Sequence, residues 1–277
     1  MKTIIVPTDF SETAYNAAHY ALGLARQLQA ARVVLYHAYE LIVPIPDLPT
    51  TVPMVNPDEL RAASLEGLEK MTRELTPLLP ANVTLETRAE NHLLPANIDQ
   101  LCRQELADIL VMGTTGGSQL EEMLVGSNTV EVVKNTKCPV IIVPADARFT
   151  PVRKIVFAAD FRHVVDHTPM QVLKKLLDVF KPELHVLNID HDSKHFTADT
   201  PYETLQLEQL LEAYNPQFHF VEHADVAQGI IDFAEQQQAD LILIIPRKHG
   251  FFEHIFKRSR TTQLAFHSHI PLLAIHE

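Results

Sequence analysis

Glycine is scarce in this sequence, with eight residues in 277 against 18 prolines, so the position of each glycine carries information. Cysteine is scarcer still. Cys102 and Cys138 are the only two and lack CxxC spacing, which excludes a disulfide-framed scaffold and makes a reducing cytoplasm the expected setting. Basic residues fall short as well: 23 Lys and Arg against 35 Asp and Glu leave a net charge of -12. Nucleic acid and an anionic membrane both call for a basic face, so neither is expected as the main partner. No apolar run approaches the ~20 residues that span a bilayer. The apolar stretch after Met1 is short and closes on Asp9, unlike a signal peptide. What remains is an acidic, soluble chain of a length that suits two domains.

The chain repeats itself. Thr3–Phe10 and Lys154–Phe161 are each a β-branched apolar run closed by Asp-Phe, at Asp9-Phe10 and Asp160-Phe161. Ala107-Asp108 and its following strand return as Ala239-Asp240, and Cys138-Pro139 with its strand returns as Ile270-Pro271. Gapless agreement at the end of each half favours duplication over a chance likeness of two α/β halves. The first copy is longer, and its extra length is assigned to the proline-rich stretch 43–57, read as an extended loop. The expected domains are 1–146 and 152–277, joined by Pro144–Pro151.

Within copy one, strands are expected at Thr3–Pro7, Arg32–Ala38, Val83–Ala89, Ile109–Met112 and Val140–Val143. Their apolar runs suit parallel strands buried on both faces. Helices are expected over Ser11–Gln29, Pro57–Leu79, Leu94–Leu106 and Ser127–Asn135. Ser11 stands as N-cap, and Ala14, Ala17, Ala18, Ala21, Leu22, Ala25 and Leu28 share one face. Copy two gives strands near Lys154–Ala158, Glu183–Ile189, Gln217–His223, Leu241–Ile245 and Leu272–His276. The fold class is therefore α/β: two tandem, open, parallel five-stranded sheets with helices on both faces, Rossmann-like.

Ligands of such sheets bind beyond the carboxyl ends of the strands, where the strand order reverses. Pro7-Thr8-Asp9 lies there. The Asp9 carboxylate could accept from a ribose hydroxyl or a base amino group, or it could cap the following helix. The second segment runs from Met112-Gly113-Thr114-Thr115-Gly116-Gly117 to Gly126-Ser127-Asn128-Thr129 and holds half of all the glycines. A loop that meets phosphates through backbone N–H groups needs residues without Cβ, and a helix opening at Ser127 would favour an anion. The alternative is a loop whose glycines only turn the chain. It is neither a P-loop nor a GxGxxG fingerprint.

Gly113-x2-Gly116-x9-Gly126-Ser127, with the opening Pro-Thr-Asp strand and the closing Pro-Val-Ile-Ile-Val-Pro strand, resembles the ATP-binding pattern of universal stress proteins of the UspA superfamily. The resemblance covers the whole chain as two tandem domains. It implies a stress-response protein that binds ATP or another adenine nucleotide, with Mg²⁺ accompanying a triphosphate through phosphate oxygens and water. It implies further that Pro7, Thr8, Asp9 and Ala38 hold adenine and ribose. Met112, Gly113, Thr115, Gly116, Gly126, Ser127 and Asn128 would hold the phosphates. Thr115 departs from the histidine frequent at its position. The last strands of the two copies would pair within the chain as a pseudo-dimer, leaving a homodimer open.

In copy two the positions of Gly113, Gly116 and Gly126 are Ile245, Lys248 and Arg258. That copy is read either as a packing partner or, through the basic stretch Arg247–Arg260, as a site for another anion. Twelve of the 15 histidines lie in copy two, and isolated surface histidines are expected rather than a metal site. The glycine-rich segment offers no general base, so a regulatory binder is favoured over a slow ATPase or a nucleotide-free scaffold.

Overall fold

The computed structural model describes residues 1–40, 56–114, 127–161, 164, 168–190, 200–246 and 268–276. Copy one gives β1 (Thr3–Pro7), α1 (Glu12–Leu28), β2 (Arg32–Tyr39), α2 (Pro57–Leu75), β3 (Thr84–Asn91), α3 (Leu94–Gln104), β4 (Ile109–Gly113), α4 (Ser127–Asn135) and β5 (Val140–Val143). Copy two gives β6 (Lys154–Ala158), α5 (Met170–Phe180), β7 (Glu183–Asp190), α6 (Thr200–Leu211), β8 (Gln217–Glu222), α7 (Val226–Gln236), β9 (Leu241–Ile244) and β10 (Leu272–Ala274). Most of the proline-rich stretch 43–57 lies outside the described residues.

The two parallel halves join into one ten-stranded sheet in the order β3-β2-β1-β4-β5-β10-β9-β6-β7-β8. Every neighbouring pair is parallel except the central one, where β10 runs antiparallel to β5 with Leu273 opposite Ile141. Each half thus covers the edge that the other would leave open. Side chains of β1 alternate between two cores. Ile4 and Val6 join the core under α1, α2, α5 and α6, while Ile5 joins the one under α3, α4 and α7. Both cores run through the seam from one repeat to the other.

The outer strands depart from the expectation of burial on both faces. In β3, Thr84, Arg88 and Asn91 are exposed, and in β8 so are Gln217, Phe220 and Glu222. They are the two edges of the sheet, where charge protects against pairing with another chain. Arg32, Glu86, Arg88 and Glu105 form a linked set of ion pairs along the β3 edge.

The linker packs against α1. Asn16 Nδ2 donates to the carbonyls of Pro144 (2.9 Å) and Ala147 (3.0 Å), and Gln27 exchanges two hydrogen bonds with the Val152 backbone. Phe149 meets Tyr20 edge-on at 5.2 Å. Scarce glycine shows at the helix ends, where Gln29, Lys181 and Asn215 hold left-handed C-cap backbone at φ 50, 47 and 47°. Each non-glycine residue there costs about 1 kcal/mol.

Candidate functional site

After β1 the chain moves outward to β2 and β3, then returns to place β4 on the other side of β1. The reversal opens a crevice at the carboxyl ends of β1 and β4. β1 ends at Pro7 opposite Tyr36, and the ladder closes on Thr8 N–H donating to the Tyr36 carbonyl at 2.8 Å. β2 continues to Tyr39. Alternate residues of a strand face alternate neighbours, so the N–H and C=O of Ala38 face the side that β1 has left.

The turn after β1 is held firmly. His37 Nδ1 donates to the Thr8 carbonyl at 2.7 Å, which fixes the tautomer, and the Phe10 ring lies 4.4 Å from the imidazole. Phe10 takes a left-handed φ of 65°, and α2 accommodates its ring only because Gly67 has no Cβ, which would lie 2.6 Å from it. Asp9 is exposed and is not the N-cap of α1. Its Oδ1 accepts from the Ser11 N–H (3.0 Å) and hydroxyl (2.5 Å), and Ser11 Oγ caps the helix by accepting from Ala14 N–H. Asp9 Oδ2 has no protein hydrogen bond among the described residues. The Thr8 side chain serves the fold, with Oγ1 accepting from Phe10 N–H and lying 3.5 Å from Met71 Sδ.

At the end of β4, Met112 is buried and Gly113 lies against the first turn of α1. A Cβ on Gly113 would stand 2.7 Å from the Thr13 carbonyl oxygen. Thr129 Oγ1 donates to the Gly113 carbonyl at 3.1 Å and ties the first turn of α4 to this strand end. Asn128 is exposed on that turn. Thr114 is buried and its hydroxyl has no hydrogen-bond partner among the described residues, so a further group that supplied one would be favoured by about 1–3 kcal/mol. Sequence patterning gave this hydroxyl no role. Pro7, Thr8, Asp9, Ala38, Met112, Gly113 and the start of α4 are thus brought to one end of the sheet. Thr115, Gly116 and Gly126 lie outside the described residues, as does the side chain of Ser127. The arrangement offers a carboxylate oxygen, an open strand edge, a buried hydroxyl and a helix N-terminus, which suits hydroxyl, amino and phosphate groups of one ligand.

Copy two repeats the scaffold with different contents. Ala159 N–H donates to the Leu187 carbonyl (2.9 Å), and Asn188 Nδ2 donates to the Ala159 carbonyl (3.0 Å), taking the place of His37. Ile245, 3% exposed, stands where copy one has Gly113. Residues 247–267, with the whole of the basic stretch, lie outside the described residues.

The repeated aspartates prove to be clasps. Asp108 accepts from the N–H groups of Lys2 and Thr3, and Asp240 from those of Arg153 and Lys154 at 2.9 and 3.0 Å. The histidines are not all isolated. His185 is buried, with Nε2 3.1 Å from Glu183 Oε1 and Nδ1 3.0 Å from His219 Nε2. Burial, and then His185, holds His219 below the ordinary histidine range. Among the described residues no three His, Cys, Asp or Glu side chains converge as metal ligands, and no helix is long and apolar enough to cross a membrane.

The profile of the universal stress protein family matches twice, over residues 1–144 and 152–276. The chain belongs to the universal stress protein family. Its two matches are tandem universal stress protein domains, in agreement with the repeat of strand order about the central seam. Universal stress protein MJ0531 of Methanocaldococcus jannaschii is 30% identical over 146 residues, 51% of this chain and 81% of its own. A universal stress protein of Thermus aquaticus, from the region 3′ of a QAH/OAS sulfhydrylase, is 34% identical over 148 residues, 51% of this chain and 98% of its own. A solved universal stress protein from Archaeoglobus fulgidus superposes with a TM-score of 0.69 at 18% identity, covering 99% of this chain and 98% of that one, and shares the whole two-domain fold.

Proposed function

We propose that this universal stress protein binds one adenine nucleotide, ATP, at the carboxyl ends of β1 and β4, and acts as a regulatory binder in stress physiology. The observation that carries the reading is the difference between the copies. Where the first presents Gly113 and a buried Thr114 hydroxyl with no hydrogen-bond partner among the described residues, the second places the Ile245 side chain. Asp9 and Ala38 would receive base and ribose. Gly113, Gly116, Gly126, Ser127 and Asn128 would meet the phosphates, with Mg²⁺ held by phosphate oxygens and water. The second repeat serves mainly as the partner that completes the sheet.

Isothermal titration of ATP against the full chain tests this. Asp9→Ala is expected to weaken binding about tenfold, the worth of a lost hydrogen bond to a charged acceptor. Asp160→Ala, the matching change in copy two, is expected to leave affinity unchanged. No binding heat with the wild type would leave the nucleotide-free scaffold. Steady phosphate release during the titration would turn the reading toward an ATPase.

A further inference from the structure

Cys102 and Cys138, the only cysteines of the chain, come together at the end of the sheet opposite the candidate nucleotide site. Cys102 lies on α3 and Cys138 at the entry to β5. Both are packed about the Leu106-Ala107 turn: Cys138 Sγ is 3.8 Å from the Ala107 carbonyl, and Ala107 N–H donates to the Cys102 carbonyl. Thr136 bridges them. Its hydroxyl lies 4.0 Å from Cys102 Sγ and accepts from Cys138 N–H at 3.0 Å.

The two thiols are 6 and 7% exposed, yet both line a cavity of about 450 Å³. Asp99, Asp108 and Lys137 and, from the second repeat, Val172 and Lys175 are among the other residues of its wall. A small molecule can therefore reach sulfur that bulk protein cannot. The thiols are also unlike each other. Its contact with Cys138 holds Cys102 below the usual thiol range, against burial and with help from Thr136, while Cys138 is pushed well up, by Cys102 first and by burial second. The hydrogen bonds point the same way: the Thr136 hydroxyl donates toward Cys102 Sγ, which favours a thiolate there, while Cys138 Sγ donates its own proton toward the Ala107 carbonyl, so Cys102 is placed to attack and Cys138 to resolve.

We propose that Cys102 and Cys138 are a peroxide-sensing pair that a hydroperoxide entering this cavity converts to an intramolecular disulfide. The Cys102 thiolate attacks the terminal peroxide oxygen and the O–O bond breaks. The departing alkoxide or hydroxide takes a proton and leaves as an alcohol or water. Cys138 sulfur then attacks the Cys102 sulfenic acid, the S–S bond forms, and the sulfenic oxygen leaves as water with the Cys138 proton. Two thiols lose two electrons and two protons to one peroxide. A reducing compartment suits such a bond, since disulfides there are mostly transient and sensory.

The test is to expose the reduced full chain to hydrogen peroxide, then unfold it in N-ethylmaleimide and weigh it. The expected product is monomeric, has lost two hydrogens and carries no adduct, and dithiothreitol restores both alkylation sites. Cys138→Ser is expected to accumulate a sulfenic acid at Cys102 that dimedone traps, whereas Cys102→Ser yields none. Two alkylatable thiols surviving peroxide that fully oxidises free cysteine would overturn the proposal. So would oxidation only to disulfide-linked dimers, or dimedone labelling in Cys102→Ser alone.

Discussion

Replacing Leu273 with aspartate is expected to cost about 4 kcal/mol or more and to leave little folded protein. Leu273 is fully buried in β10, opposite Ile141 of β5, at the antiparallel junction that makes two half-sheets one. A carboxylate there would lose its water with no cation or donor supplied in exchange. The damage would reach both repeats, because Leu273 and Ile141 belong to a core that also holds Val6 of β1 and Val186 of β7. Leu205→Asp is the control. Leu205 is 51% exposed on α6, and its loss is expected within about 0.5 kcal/mol of neutral. Urea unfolding of the two variants gives the comparison. A Leu273→Asp protein as stable as the control would show that β10 does not seal the sheet.

Asp108→Ala is expected to cost about 2–3 kcal/mol at neutral pH. Its carboxylate binds the first strand through Lys2 and Thr3 N–H and reaches the second repeat through Lys175 Nζ at 2.5 Å, with only 14% of the side chain exposed. Burial works to raise the pKa of this group, but the Lys175 ammonium and the two N–H donors outweigh it and hold the carboxyl below its ordinary value. The sign follows from linkage. The stabilisation is complete above the unfolded carboxyl pKa of ~3.9 and is lost as pH falls through the lower folded value. Wild type and Asp108→Ala should therefore converge in stability below about pH 4, as read by thermal unfolding across acid pH. A gap that stays constant through that range would assign the loss to packing instead of the charged clasp.

Much of the fold was legible because local chemistry and tertiary need agree. The runs at Thr3–Pro7, Val140–Val143 and Lys154–Ala158 are strands with the expected bounds, since each is buried wholly or nearly so. Ser11 caps α1 and Pro57 opens α2 as their residue types suggest. What patterning could not supply was which strands become edges. β3 and β8 are flanked on one side only, a property of sheet order that no single run encodes. The Asp-Phe and Ala-Asp repeats were visible, but their physical roles were not. Asp9 supports the capping serine, and Asp108 and Asp240 tie down neighbouring strands, both through contacts made only in the folded chain. The nearness of Cys102 to Cys138 has the same origin. No spacing rule joins them, and they meet because α3 and the entry to β5 pack on the same face. Within the candidate site, Asp9, Ala38 and Gly113 follow from the strand ends, whereas the burial of the Thr114 hydroxyl arises only from packing in the folded chain.

The proposal that only the first repeat takes a nucleotide makes a prediction about number. Native mass spectrometry of the full chain in saturating ATP counts nucleotides per 31.2-kDa polypeptide directly. One nucleotide per chain in the wild type and in Asp160→Ala is the predicted result, with Asp9→Ala needing about tenfold more ATP to reach the same occupancy. Two per chain would mean that Ile245 and its surroundings still accept the ligand, and none would mean that the glycines of the first repeat serve the fold alone.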